Sequence, residues 1–527
     1  MKKISVFGLL FFCMAVSLVF AQAEPRKGGT LIWGTNADPI SLDPAIPTDG
    51  DSAKVVINIF EGLVRYQEGS TEVEPALAVS WKVSGNGKEW IFYLRKGVVF
   101  HDGTPFNANA VVFSFSRQID PKHPFYQKNF GYAAFTFKYV KSVKAVDEHT
   151  VRISLSNPFA PFLFNLAMPF ASKIVSPTAL KKWGNNFEKH PVGTGPLRFS
   201  EWIQGDRVVL ERNPDYWSNP AYLDKVVLKP IINNTGRLLA LKTSAIHGMD
   251  IINPKAVRDI RENKHLRMMS IPGLNVGYLA MNTEKPPFNR LKVRQAVNHA
   301  INRQNLVKFI YKGLAVPAHT PVPPVMWGYN DKITGYEYNP AKAKQLLKED
   351  GFEHGFETTL WTMPVARQYM AQPKKIARII KANLGVLGIK ARIVSYDWKT
   401  YLAKVRNGEH DMCLIGWVGD NGDPDNFLYV LLDKDNAVKP KGTNQAFFKH
   451  DGLHEILIKA QQINERQERI RLYHKAQEII HEQAPWVPLA HARQIVAHRK
   501  NVHGIIQRPT GGILFGKAWI VQGMGTE

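Results

Sequence analysis

Cysteine is almost absent from this chain: Cys13 and Cys413 are the two in 527 residues. Cys13 falls in an N-terminal segment expected to be removed, which leaves one thiol and no intrachain disulfide. A small cross-linked scaffold is therefore excluded, and stability has to come from buried cores. Long apolar runs are also missing beyond residue 20, since no later segment approaches the eighteen uninterrupted apolar residues of a membrane-crossing helix. Acids are scarce beside bases, 45 against 68, giving a formal charge of +23. Such an excess favours anionic surfaces or ligands. The basic residues are nevertheless scattered rather than gathered into stripes with interleaved aromatics, so no nucleic-acid partner is expected. Catalytic signatures are missing too. There is no Gly-x-Ser-x-Gly elbow, no Walker A loop and no His-Glu-x-x-His pair.

What is present begins with Met1-Lys2-Lys3, an apolar run from Ile4 to Phe20, and Ala21-Gln22-Ala23. This is the layout of a secretory signal peptide, with cleavage expected after Ala23 and a periplasmic destination. The remaining 504 residues are too many for one core and predict two or three domains. Helical spacing predicts helices over Ser52–Val64, Ala108–Arg117, Val293–Ile310, Pro340–Glu349 and Lys374–Leu387, with two more between Leu453 and Glu482. Alternation predicts strands at Glu89–Leu94, around Leu197–Trp202 and Arg207–Leu210, at Val276–Met281, Ala391–Ser395, Met412–Trp417 and Trp486–Leu489, and a hairpin over Val140–Leu155. Strands and helices mixed without a fixed period imply an α/β protein rather than a repeat array.

One loop stands out. The strand Met412–Trp417 runs into Gly419-Asp420-Asn421-Gly422-Asp423-Pro424-Asp425-Asn426, a cluster of carboxylates and amides broken by Gly and Pro. Carboxylates gathered at a strand end are costly unless something cationic or hydrogen-bonding meets them, which makes the loop a candidate binding site. Calcium does not fit, because the Asp-x-Asp-x-Asp-Gly spacing and the closing Glu are absent. His474 and His481 share a helix face without a partner to complete a metal set, so neither a metal nor a cofactor is expected.

Four motifs give the chain a family resemblance. Phe60-Glu61-Gly62-Leu63-Val64 comes first, then Val99-Phe100-His101-Asp102-Gly103-Thr104-Pro105-Phe106. Gly193-Thr194-Gly195-Pro196 with Asn213-Pro214-Asp215-Tyr216-Trp217 is the third. Tyr278-Leu279-Ala280-Met281-Asn282 with Val293-Arg294-Gln295-Ala296 is the fourth. In this order they resemble the family-5 solute-binding proteins that feed peptide ABC importers. Met326–Asp331, Trp361–Arg367 and the Gly416–Phe427 loop place the resemblance among its dipeptide binders. Two departures are visible. Ala110 stands where the family usually has Asp, and Gln368-Tyr369-Met370-Ala371 lacks the usual proline-asparagine text, which bears on pocket depth near Arg367.

The resemblance implies a two-lobed periplasmic binding protein of the type II, three-domain peptide-binding subclass, with a hinge and a central ligand cleft. It implies a discontinuous first domain (24–60, 187–279 and 494–527), an inserted domain (61–186) and an opposing lobe (280–493). No reaction is catalysed. The expected partners are a dipeptide and a membrane-embedded ABC permease, with the chain acting as a monomer. By the same resemblance Asp420 holds the ligand's α-ammonium and Arg367 its carboxylate, so that the two act as a ruler for length. Gly416 and Val418 sit on extended chain whose backbone can pair with the peptide bond. Trp417 is expected on a pocket face, and Gly50 and Asp51 on the facing lobe. Asp423 and Asp425 organise the loop. Haem, δ-aminolaevulinate or another peptide-like or anionic ligand is the alternative cargo on the same fold.

Overall fold

A computed structural model of the chain describes residues 24–521, so the expected signal segment lies outside the described residues. The largest feature is a sheet of twelve strands. Its path runs Lys390–Val394, Glu357–Trp361, Met412–Val418, Asn275–Met281, Trp486–Arg499, Gly248–Asp250, Thr30–Thr35, Lys225–Pro230, Arg207–Arg212 and Leu197–Ile203. Trp486–Arg499 is its spine. Residues 486–490 pair with Asn275–Met281, whereas residues 493–499 pair with Leu266–Pro272. One strand therefore serves two halves of the molecule.

The half beyond Asn275 contains a parallel βαβ unit. Glu357–Trp361 and Lys390–Val394 run side by side, joined through helix Pro373–Gly385. That helix buries Ile376, Ala377, Ile380 and Leu384, the spacing that lets one face lie on a sheet. A separate antiparallel sheet of four strands holds Ala78–Val83, Glu89–Leu94, Thr150–Leu155 and Val140–Asp147 in that spatial order. Trp90, Phe92 and Leu94 turn inward from its Glu89–Leu94 strand. Helix Ala108–Ile119, capped by the Asn107 side chain, packs on the same sheet and contributes Val111 and Phe115 to its core.

Some expected boundaries move. The first helix spans Gly50–Ile59 and stops where Phe60 turns extended, so Leu63 and Val64 belong to the next segment. The long helix expected over Val293–Ile310 is two, Leu291–Ala300 and Arg303–Tyr311, because Asn302 breaks the run and caps the second. The strand expected at Trp486–Leu489 continues to Arg499.

The first and third motifs meet at one buried carboxylate. Glu61 accepts hydrogen bonds from Thr194 Oγ1 at 2.9 Å, Tyr216 OH at 2.9 Å and Trp217 Nε1 at 2.8 Å. His101 Nε2 donates to the Gly195 carbonyl at 3.0 Å. Burial raises the Glu61 carboxyl above its ordinary range, and the three donors partly offset that rise.

Candidate functional site

A cavity of about 940 Å³ opens between the parts described above. Its walls come from the start of helix Gly50–Ile59, from Tyr132 and Phe170, and from the Ala366–Ala371 segment. The end of the Met412–Val418 strand and the C-terminal hairpin around Arg508 complete it.

Asp420 stands at the strand end. Its backbone N–H donates to Asn426 Oδ1 at 3.0 Å, and the same oxygen accepts from Trp417 Nε1 at 2.9 Å. Asn426 thereby fixes where the chain turns. From across the cavity, Tyr132 OH donates to Asp420 Oδ1 at 2.6 Å. Burial pushes the Asp420 carboxyl up to about 6, with the Tyr132 and Asn426 hydrogen bonds pulling the other way. It is thus a carboxylate at neutral pH, and among the described residues it has no ion-pair partner.

Arg367 lines the same cavity. Its backbone forms a tight two-way bridge with Met370, at 3.1 and 2.9 Å. Its guanidinium rests over the Trp398 ring, 4.6 Å from the centroid, and among the described residues no acid pairs with it. A stacked cation without a counter-ion is positioned by the aromatic face yet keeps its planar donors free.

The other expected site residues divide. Val418, Gly50 and Asp51 line the cavity, whereas Gly416 and Trp417 stand behind the wall. A Cβ on Gly416 would strike the Tyr369 ring and the Val276 carbonyl, so glycine is required by packing. Gly419 N–H donates to Leu274 O at 2.7 Å, and bonded pairs alternate along an antiparallel ladder. Trp417 therefore faces Val276, while Gly416 and Val418 turn their backbone groups to the other edge. Along that edge the neighbouring strand is paired only as far as Cys413. Gly50 begins its helix under the Asp49 cap, and Asp51 pairs with Lys54 at 2.7 Å. Lys54 also pairs with Asp250, so the Asp51 carboxylate is already engaged within the protein.

Asp423 and Asp425 hold the loop. Asp423 is fully buried and receives a fork from Arg469, with contacts of 2.7 and 2.8 Å, together with Tyr473 OH at 3.0 Å. Asp425 accepts from Gln461 Nε2 at 2.9 Å. Residues that sequence reasoning missed include Tyr132, Trp398, Lys54 and Arg508. None sits in a motif, and each reaches the cavity only through the tertiary fold. Also unforeseen is a group away from the cavity, Asp433, Asp435 and His454, which could converge on one cation. There His454 Nδ1 already faces Asp433 Oδ1 at 3.0 Å.

Contacts also join the two parts that flank the cavity. Gly422 N–H donates to Tyr66 OH at 3.0 Å, and Asn421 Nδ2 donates to Asn165 Oδ1 at 2.6 Å. Arg466 pairs with Glu72, and the Phe164 ring stacks on Trp327 at 5.8 Å. Each contact joins the 61–174 segment to the half beyond Asn275.

Comparison with known proteins fits this architecture. The family model described as bacterial extracellular solute-binding proteins, family 5 Middle, matches residues 72–439. Heme-binding protein A of Haemophilus influenzae is 37% identical over 506 residues, covering 93% of this chain and 92% of that protein. The dipeptide-binding protein of Escherichia coli is 36% identical over 515 residues, covering 94% and 96% respectively. Among solved structures is the ABC transporter-associated periplasmic binding protein DppA from Helicobacter pylori in complex with peptide STSA. It is 40% identical with a TM-score of 0.79, covering 94% of this chain and 98% of that one.

Proposed function

The chain belongs to the bacterial extracellular solute-binding proteins of family 5, and from that membership we propose that it captures dipeptides in a closing cleft for an ABC permease. It is a two-lobed α/β binding protein and not an enzyme. One observation carries the choice of ligand. A carboxylate, Asp420, and a guanidinium, Arg367, line one cavity, and neither is consumed by an ion pair among the described residues. A free dipeptide is a zwitterion whose two charged ends match that pair. A longer peptide puts a neutral amide at Arg367 and forgoes the ion pair that a free carboxylate makes there. The open backbone edge at Val418, which lines the cavity, suits the peptide bond and leaves side chains unconstrained.

Length discrimination tests this directly. Arg367→Ala is expected to weaken a free dipeptide by about 1.5–3 kcal/mol, the usual worth of a hydrogen bond to a charged group. An amidated dipeptide, lacking the carboxylate, should lose far less. Equal losses for both ligands in titration calorimetry would refute the carboxylate assignment.

Acid sensitivity gives a second test. Ammonium capture needs the Asp420 anion, whose carboxyl sits at about 6 in the free protein. The peptide carboxylate, near 3.5, and its ammonium, near 8, keep their charges between pH 5 and 7. Affinity should therefore hold near pH 7 and fall by up to roughly tenfold per unit below pH 6. Calorimetry showing a flat profile from pH 7 to 5 removes Asp420 from the role.

We place the hinge where the chain crosses between the two halves of the large sheet, at 272–275 and 492–493. The strand Asn275–Met281 pairs along its length with Met412–Val418, so a boundary at 279/280 would cut it. Asn275 fastens the crossing, its side chain bonding Ala492 O at 2.8 Å and Ala492 N at 2.9 Å. Ile174 packs in the core of the four-stranded sheet and Val175 in that of the first domain. We therefore propose that the chain returns from the inserted domain near 174. The segment preceding residue 24 we assign to export.

Haem remains the alternative cargo on a specific ground. The cavity lies near the upper end of the roughly 300–1,000 Å³ usual for ligand sites, and Heme-binding protein A is a close relative in sequence. A Soret shift on adding haem, with no heat from dipeptides, reverses the assignment.

A further inference from the structure

The C-terminal hairpin presents a second cation that the dipeptide ruler does not use. Ile506–Gln507 pairs with Ile513–Leu514, and the turn between them carries Arg508 into the cavity wall. The turn is well fixed. Arg508 N–H donates to Gly512 O at 2.8 Å, Gly511 N–H donates to Arg508 O at 2.9 Å, and Pro509 O accepts from Leu274 N–H and Gln494 Nε2.

Arg508 is 7% exposed, yet its guanidinium makes no hydrogen bond and no ion pair among the described residues, and its Nε is buried without a partner. Cations stand near it, while Glu74 and Glu68 act on it without forming an ion pair. Lys173, fully buried, is pushed down to about 7 by burial and then by Arg508. Arg65 also acts on Arg508, and of these three only Arg65 has a carboxylate of its own, Glu74 at 2.8 Å. A buried arginine without a counter-ion costs stability, and buried polar groups are otherwise almost always satisfied. A retained exception facing a cavity is the mark of a site awaiting its ligand.

The charges of the lining point the same way. Lys54 and Arg237 are balanced by Asp51 and Asp250, which lie beside them. Asp49 caps its helix, and Arg493 is held by Ser270. The lining cations whose guanidinium groups have neither an ion pair nor a hydrogen bond among the described residues are Arg367 and Arg508, beside the acid Asp420. A simple zwitterion satisfies Asp420 and Arg367 and leaves Arg508 alone.

We propose that Arg508 is a second anion-holding position in the cleft, so that the preferred ligands are peptides bearing an acidic side chain. The proposal rests on the dipeptide reading above. On closure the side-chain carboxylate receives the planar donors of Arg508 in place of water.

Calorimetry at constant salt with Ala-Glu, Glu-Ala, Ala-Gln, Gln-Ala and Ala-Ala tests it. In the unaltered protein at least one acidic peptide should bind tenfold or more tightly than its amide counterpart. In Arg508→Gln that gap should close, while Ala-Ala changes by less than threefold. A conservative Arg508→Lys should keep part of the gap. Ala-Ala binding with no acidic preference, or a preference that survives Arg508→Gln, overturns the proposal and leaves the dipeptide reading standing. Failure of every peptide to bind overturns both. Thermal melting separates a structural role: ligand-free Arg508→Gln should melt no lower than the unaltered protein, and a fall of several degrees counts against the site.

Discussion

Replacing Asp420 by alanine is expected to weaken dipeptide binding by about 2–5 kcal/mol, the usual loss when one partner of a buried charge pair is removed. That is roughly thirtyfold to several-thousandfold in affinity. The size follows from what the ammonium meets on arrival. It gives up water for one carboxylate, oriented by Asn426 and already holding Tyr132 OH at 2.6 Å. Without that carboxylate, both the ammonium and the tyrosine hydroxyl lack an acceptor. Asp420→Asn separates charge from shape, since the amide oxygen still accepts from Tyr132 while the negative charge is gone; it should lose nearly as much as alanine. Folding should not account for the loss. The folded carboxyl lies above its ordinary unfolded value, so its ionisation costs stability above about pH 6, a cost relieved as pH falls toward 4. At pH 7.5 Asp420→Asn should therefore melt at or above the parent temperature. Titration calorimetry beside melting curves checks both halves, and unchanged affinity in either variant ends the assignment.

The fold was legible wherever one element's periodicity settled the matter. Glu89–Leu94 alternates inward Trp90, Phe92 and Leu94 and reads as a strand without help. Asn107 before an apolar period reads as a cap, and it is one. Reading failed where tertiary context overrode the local pattern. Val293 to Tyr311 is apolar at helical spacing throughout, and only the Asn302 cap reveals two helices meeting at a corner. Trp486–Arg499 outran its expected four residues because Ala490, Ala492, Val496 and Ala497 are buried against two different sets of strands. A residue enclosed on both faces leaves no alternation to read.

The candidate site divides along similar lines. Asp420 and Arg367 were found through motif text, and the cavity contains both. Their local chemistry would not have paired them, being 53 positions apart in the chain. Tyr132, which bonds Asp420 from the inserted segment, carries no sequence signal, because a tyrosine in a loop rich in aromatics is unremarkable until the lobes meet. Arg508 was one base among 68 Lys and Arg, and only its missing partner distinguishes it. Spatial isolation of a charge is invisible in one dimension.

The same limit applies to the group that holds the Asp420 loop in shape, where the second large effect is expected. Arg469→Met should destabilise the protein by about 3–5 kcal/mol, the cost of leaving one member of a buried pair uncompensated. Asp423 has no exposure, and Arg469 supplies both of its guanidinium contacts. The arginine is fully used besides: Nε donates to Ala460 O at 2.9 Å and Nη2 to Tyr473 OH at 2.7 Å. Beside it, burial and the Asp423 charge push Asp425 up to about 7, so losing Arg469 gathers two acids in one dry pocket. The loop should then loosen, since Asp423 Oδ1 accepts from Asp425 N–H at 3.0 Å and Asn421 Oδ1 from Asp423 N–H at 2.9 Å. Affinity should fall with stability although Arg469 does not line the cavity. Chemical melts followed by tryptophan fluorescence measure the first effect, and calorimetry well below the melting range measures the second. Asp423→Leu combined with Arg469→Met should recover part of the stability, because neither charge of the pair is left uncompensated, while Tyr473 OH, the Ala460 carbonyl and Asp425 N–H still lose a partner. It should not recover full affinity, because the Asp425 N–H link still depends on a side-chain oxygen at position 423. A single variant that loses less than about 1 kcal/mol would place the pair among ordinary surface bridges and leave the rigidity of the loop to Asn426.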